Sequence, residues 1–224
     1  MQDIVGFFIG QEDTRQEVIL HGASPIPMLP KLFKDVELQT LDIHGEIIGT
    51  YYIGRVETLT AHKSKANESL RDLTVSFFGY TCPFSFAGEI WRRWASGPPT
   101  RPNEWTEHPP EAHASWLHVV QQAWFSSGRL AKRYSNDPGY VIYGQTMANI
   151  DSFYCALGEA VNGPGGYFGS NLDALSDCLG SREQEPSFRL TWHNSEAFTE
   201  RVGNGFLREV LAVLTKGGVE VIVQ

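Results

Sequence analysis

The last six residues read VEVIVQ, Val219 to Gln224. A run this rich in β-branched side chains reads as a strand, and its near-continuous apolarity predicts one covered on both faces. Two earlier segments, YVIYG from Tyr140 and SFRLTW from Ser187, have the same character. Between the three lie helical patterns: NIDSFYCALGEAV, with Asp151 placed to cap it, then SEAFTERV and GFLREVLAVLTKG. Strands separated by helices imply parallel pairing through crossovers. Residues 140–224 are therefore expected to form a small α/β domain on a three-stranded parallel sheet.

The first 136 residues follow a different rule. DIVGFFIG, QEVILHG, VELQTLDIHG, EIIGTYYIGRVETLTA and LTVSFFGY are strand-like segments punctuated by Gly, Asp, His and Asn. IHGEIIG resembles a hairpin turn, and LHGASPIPMLPKLF, with three prolines, a loop or irregular edge. FSFAGEIWRRWASG suits a short helix. PPTRPNEWTEHPP carries five prolines and excludes regular structure. EAHASWLHVVQQAWFSSGRLAKRY reads as a longer helix, with Trp116, Val119, Val120, Ala123 and Trp124 on one face and a basic end at Arg129, Lys132 and Arg133. YSNDPG then signals a linker. The expected organisation is a β-rich α+β domain over 1–136 and an α/β domain over 140–224.

Composition narrows the function. The formal charge is −8 and the pI near 5.3, without the basic stripe of a duplex-binding protein, so no direct nucleic-acid binding is expected. Cys82, Cys155 and Cys178 are odd in number and contain no CxxC pair, which favours a reducing compartment over a disulfide framework. The start of the chain lacks the basic region of a signal peptide, and no apolar run is long enough to span a membrane. The expectation is a cytoplasmic protein.

The segment GGYFGSNLDALSDCLG, Gly165 to Gly180, carries the strongest functional signal. On a helix, Leu172, Leu175 and Leu179 make one apolar stripe. Asp173 and Asp177, at i and i+4, share another face with Ser176 between them. Like charges at that spacing destabilise an isolated helix by about 0.2–0.5 kcal/mol. Ser170 or Asn171 can cap its start. The glycines before it are expected to let a loose loop present Tyr167 and Phe168 beside the carboxylates. A solvated acidic helix face is the ordinary alternative.

YFGSNLDALSDCL resembles the signature segment of the barstar family of ribonuclease inhibitors, and the likeness extends across Tyr140 to Gln224. It implies that Tyr167, Asp173 and Asp177 plug the active site of a ribonuclease, with Gly169 and Asn171 at the loop's structural positions and Phe168 and Ser176 in the contact region. Three departures accompany it. Phe168 stands where the family often has a second tyrosine, and Ser176 where it has a tryptophan. Leu211 or Ala212 falls at the family's acidic position on the last helix, with Glu209 displaced from it. The implied partner is a basic, extracellular-type ribonuclease other than barnase, or a related cationic toxin. Residues 140–224 hold ten acidic and five basic residues, against sixteen and thirteen before them, so the smaller segment is the more acidic per residue.

Other clusters carry less. His108, Glu111, His113 and His118 lie close in sequence, but His113 and His118 are five residues apart, off one helical face, and no metal site is expected. NGPGG before a helix could cradle phosphate, yet Asp173 would repel it. No GxSxG, Walker or HExxH pattern occurs. Trp91, Trp94, Trp105, Trp116 and Trp124 read as core. The sequence thus points to a cytoplasmic inhibitor and immunity protein, without enzymatic activity or cofactor. The competing reading makes residues 1–136 an enzyme or ligand-binding module, with His21, His44 and Cys82 as candidates and the barstar-like domain as a docking unit.

Overall fold

The computed structural model describes residues 3–10, 17–25, 29–78, 81–129, 139–180 and 188–224. Its contacts divide the chain into two compact units, Met1–Glu89 and Ile90–Gln224.

The first unit is an antiparallel sheet of β1 (Asp3–Val5), β2 (Glu17–Ala23), β3 (Leu32–Leu41), β4 (Ile47–Lys63) and β5 (Arg71–Phe78), in the order β1-β2-β5-β4-β3. The hairpin expected at IHGEIIG joins β3 to β4. The Asp42 carboxylate accepts the His44 and Glu46 amides at 2.8 Å each, and Gly45 takes a φ of 85°. β4 alternates buried Tyr51 and Ile53 with exposed Tyr52, the period-two pattern of a sheet with one packed face. Phe7, wholly buried, meets Tyr51 and Phe77 edge-on at 5.2 and 5.8 Å.

In the second unit, β6 (Tyr140–Tyr143), β7 (Phe188–His193) and β8 (Val219–Val223) form the expected parallel sheet, in the order β6-β7-β8. Helices α3 (Ile150–Asn162), α4 (Leu172–Leu179), α5 (Ser195–Val202) and α6 (Asn204–Lys216) connect its strands. The central β7 buries Phe188, Leu190 and Trp192, and Trp192 stacks on Phe153 at 5.1 Å. The expectation for VEVIVQ is corrected: β8, at one end of the sheet beside β7 among the described strands, has Val219 buried but Glu220 and Val223 exposed, so its two faces are not both covered along its length. The cap of α3 differs too. Asn149 and Ser152 form a reciprocal capping box, and Asp151 sits in the first turn.

The division between units falls well before the expected boundary at 136–140. Helix α1 (Ala87–Trp94) leads into the second unit, and α2 (His113–Ser126) packs on α3. The reason is aromatic. Trp105 and Trp116 are fully buried, and Trp116 lies 6.2 Å from Trp94. The His113 ring stands edge-on to Trp105 at 5.1 Å, and its Nδ1 lies 2.8 Å from the Ser152 hydroxyl of α3. The five tryptophans are core, as the sequence suggested. The proline-rich stretch is more ordered than expected, with short 3-10 turns at Glu104–Glu107 and Pro110–Ala112. Most of the YSNDPG linker and the basic pair Lys132 and Arg133 lie outside the described residues.

The histidines of α2 give a pH prediction. Burial lowers His118 from 6.5 to about 4, and burial also lowers His113. A neutral buried imidazole binds fewer protons folded than unfolded, so its contribution is complete above 6.5 and is lost as pH falls toward 4. His118 alone accounts for roughly 3 kcal/mol at the acid limit. Asp151 and Glu159, both raised by burial, act in the opposite sense, from the ordinary carboxylate range upward, so the comparison with a His118 variant isolates the imidazole. Denaturant midpoints measured from pH 7 to 5 should fall for the native chain and fall less for His118→Gln.

Candidate functional site: the acidic face of helix α4

Helix α4 forms because its sequence divides into two sides. Leu175 and Leu179 are buried, and the helix packs against α6, where Gly217 leaves room for Leu179. Asn171 is the N-cap; its Oδ1 accepts the Ala174 amide at 2.8 Å. On the outer side, Asp173, Ser176 and Asp177 are all exposed or half-buried. Neither carboxylate forms an ion pair among the described residues. Two like charges one turn apart are therefore left facing solvent on a short, well-anchored helix.

The loop before α4 is tightly packed rather than loose. A Cβ on Gly158 would stand 2.3 Å from the Gly166 carbonyl oxygen, and one on Gly166 would stand 2.6 Å from the Asn162 Cβ. The glycines thus bring loop and α3 backbone into contact. Glu159 fastens the same loop: its carboxylate accepts the Gly165 amide at 3.3 Å and the Asn103 amide at 2.6 Å. Its pKa is nonetheless raised, because burial outweighs those two hydrogen bonds. The Asn162 amide donates to the Tyr167 carbonyl at 2.7 Å.

The expected presentation of both aromatics is corrected. Tyr167 is only 3% exposed and Phe168 is fully buried. Phe168 packs 6.1 Å from Phe188 of β7 and belongs to the core of the free protein. Tyr167 lies under the ring of Phe125 from α2, 5.4 Å away, and its hydroxyl is 3.3 Å from the Ser170 hydroxyl. Burial raises the Tyr167 pKa, with Cys178 and Asp177 adding to the rise. Gly169 is structural: at φ 97°, its added Cβ would meet the Leu175 backbone at 2.8 Å. Asn171 is exposed but serves as the cap. Asp173, Ser176 and Asp177 remain as the outward-facing candidates.

Sequence reasoning missed two features. One is Phe125, whose α2 helix the sequence places in the other domain. The second is a groove of about 390 Å³ beside Asp173, lined by Ile150, Tyr154, Asn171, Leu172 and Phe206 among others. Tyr154 stays protonated there, its pKa pushed up by burial and then by Asp151 and Asp173. Residues from three helices make the groove, and no local pattern announces it.

The expected candidates in the first unit do not assemble around its groove. That groove, about 570 Å³, is lined by Leu32, Lys34, Asp35, Tyr52, Gly54 and Arg55. His21 is 3.2 Å from Asp72, His44 sits in the β3–β4 turn, and Cys82 is fully buried. No group of three or more His, Cys, Asp or Glu among the described residues could hold a metal ion. No helix among them is long and apolar enough to cross a membrane.

The second unit thus combines a three-stranded parallel sheet with a carboxylate pair displayed on the outer side of α4. Residues 139–218 match the model of the family described as Barstar (barnase inhibitor). The match lies in the C-terminal part of the chain and bears out the likeness read from YFGSNLDALSDCL. Over these residues the chain is similar to that family of ribonuclease inhibitors. A comparison with curated proteins finds no match.

Proposed function

We propose that this protein inhibits a ribonuclease by placing the acidic side of α4 in its cationic active site, and that it acts in the cytoplasm as an immunity protein. The observation that carries this reading is the outward-facing pair Asp173 and Asp177, without an ion-pair partner among the described residues and inside the segment that matches the inhibitor family. A ribonuclease holds a phosphodiester with Arg, Lys and His. Carboxylates fixed on a helix can take the phosphate's place through charge-assisted hydrogen bonds. Repulsion within the pair is then relieved in the complex, and attraction between opposite charges speeds its formation. The protein acts by occlusion, without catalysis or cofactor.

The target differs from barnase in this reading, because Phe168 is buried, Ser176 offers no ring and the last helix lacks the in-register acid. A basic ribonuclease, or a toxin with an equally cationic site, fits the remaining carboxylates. The test is a titration into barnase and a panel of small basic secreted ribonucleases, following RNA cleavage. Stoichiometric inhibition of a panel member is expected, with an association rate that falls steeply as salt is added. No inhibition of any member by the folded protein would overturn the proposal.

A further inference from the structure

We infer that Phe125 of α2 is a contact residue for the inhibited ribonuclease, supplying from outside the barstar-like segment the aromatic ring that α4 lacks. The inference rests on the inhibitor reading above. Phe125 is 58% exposed, the most exposed large apolar side chain described in the second unit. A phenyl ring left this open gains free energy when covered. Its position ties it to the acidic face. The ring lies 5.4 Å from that of Tyr167, whose hydroxyl reaches Ser170 at the entrance to α4. Tyr167 thus links the Phe125 ring to Ser170, the residue before the N-cap of α4.

The partner that fits is the basic ribonuclease itself. Active sites that bind RNA carry Arg and Lys beside the phosphate subsite, and a guanidinium or ammonium packs favourably against an aromatic ring. Arg129, farther along the chain, has its own guanidinium over Trp124 at 5.4 Å. Ser176 leaves the outer side of α4 without a ring. Phe125 supplies one that meets Tyr167, just before α4, from a helix that packs on α3. Buried aromatic anchors flanked by charged contacts are where binding energy concentrates in protein interfaces.

The experiment uses the full chain and the panel ribonuclease it inhibits, and compares Phe125→Ala, Phe125→Lys, Phe125→Glu and Asp177→Ala by inhibition constants at low and high salt. Phe125→Ala is expected to weaken inhibition about tenfold or more. Phe125→Lys should weaken it further than Phe125→Glu, with the gap closing as salt rises. A ring that only steadied Tyr167 would make Lys and Glu equivalent. Equal inhibition constants for the Lys and Glu variants, or tighter inhibition by Phe125→Ala, would overturn the inference while the Asp177→Ala loss left the inhibitor reading standing. Undiminished inhibition by Asp177→Ala would overturn both.

Discussion

Replacing Asp177 by alanine is expected to remove inhibition at concentrations where the native chain inhibits stoichiometrically, and Asp173→Ala to weaken it strongly. Both carboxylates face outward in the free protein, so neither change removes a buried contact, and unfolding midpoints should stay close to the native value. Asp177→Ala should shift slightly upward, since it relieves an unfavourable i,i+4 pair, whereas in Asp173→Ala the lost interaction with the helix N-terminus offsets that relief. In the complex the cost is of another order. A cationic active site closed around a missing carboxylate leaves its own charge desolvated and unpaired. Such truncations cost about 2–5 kcal/mol in protein interfaces generally, and the barnase–barstar complex is itself among the measured cases behind that range. The range corresponds to roughly 30- to 5,000-fold in affinity. Loss of inhibition with loss of folding would count against the proposal; loss of inhibition with folding intact would support it.

The second large effect concerns what must be present for the C-terminal unit to fold. Cutting the chain at residue 139, where the family match begins, removes α2 and both 3-10 turns. The fragment would lose the wholly buried rings of Trp105 and Trp116, the partner of Ser152 at His113, and the Asn103 amide bound by Glu159. Removing a single buried Trp side chain costs about 3–5 kcal/mol, a large part of the stability of an ordinary domain. The 139–224 fragment is therefore expected to unfold with little cooperativity near room temperature. A fragment of residues 90–224 should unfold in one transition close to that of this unit in the full chain. Circular dichroism on the two fragments decides it, and equal midpoints would show that α2 contributes nothing.

How much of this was legible depends on whether each cause was local. The two sides of α4 could be read directly, because helical periodicity separates Leu172, Leu175 and Leu179 from Asp173 and Asp177. The parallel sheet followed from alternation of strand and helix. The buried state of Tyr167 and Phe168 could not be read, because glycine permits both a loose loop and a close backbone approach. Which one occurs is decided by Gly158 on α3, several residues earlier. The division of the contacts into two units was out of reach for a similar reason. Proline and turn signals at YSNDPG predict a break, but which neighbour α2 packs against depends on tryptophans and on Ser152, which lie on opposite sides of that segment in the sequence.

The sidedness of α4 has a further consequence, for how such a protein can change its quarry. Ser176 touches solvent, while the leucines that anchor the helix face inward, so position 176 can be varied without disturbing the interior. Ser176→Trp should shift stability by no more than about 0.5 kcal/mol. On the proposed function, residues on this outer side are open to retargeting by single substitutions, and the scaffold that presents them can remain constant while the nuclease it would meet diversifies.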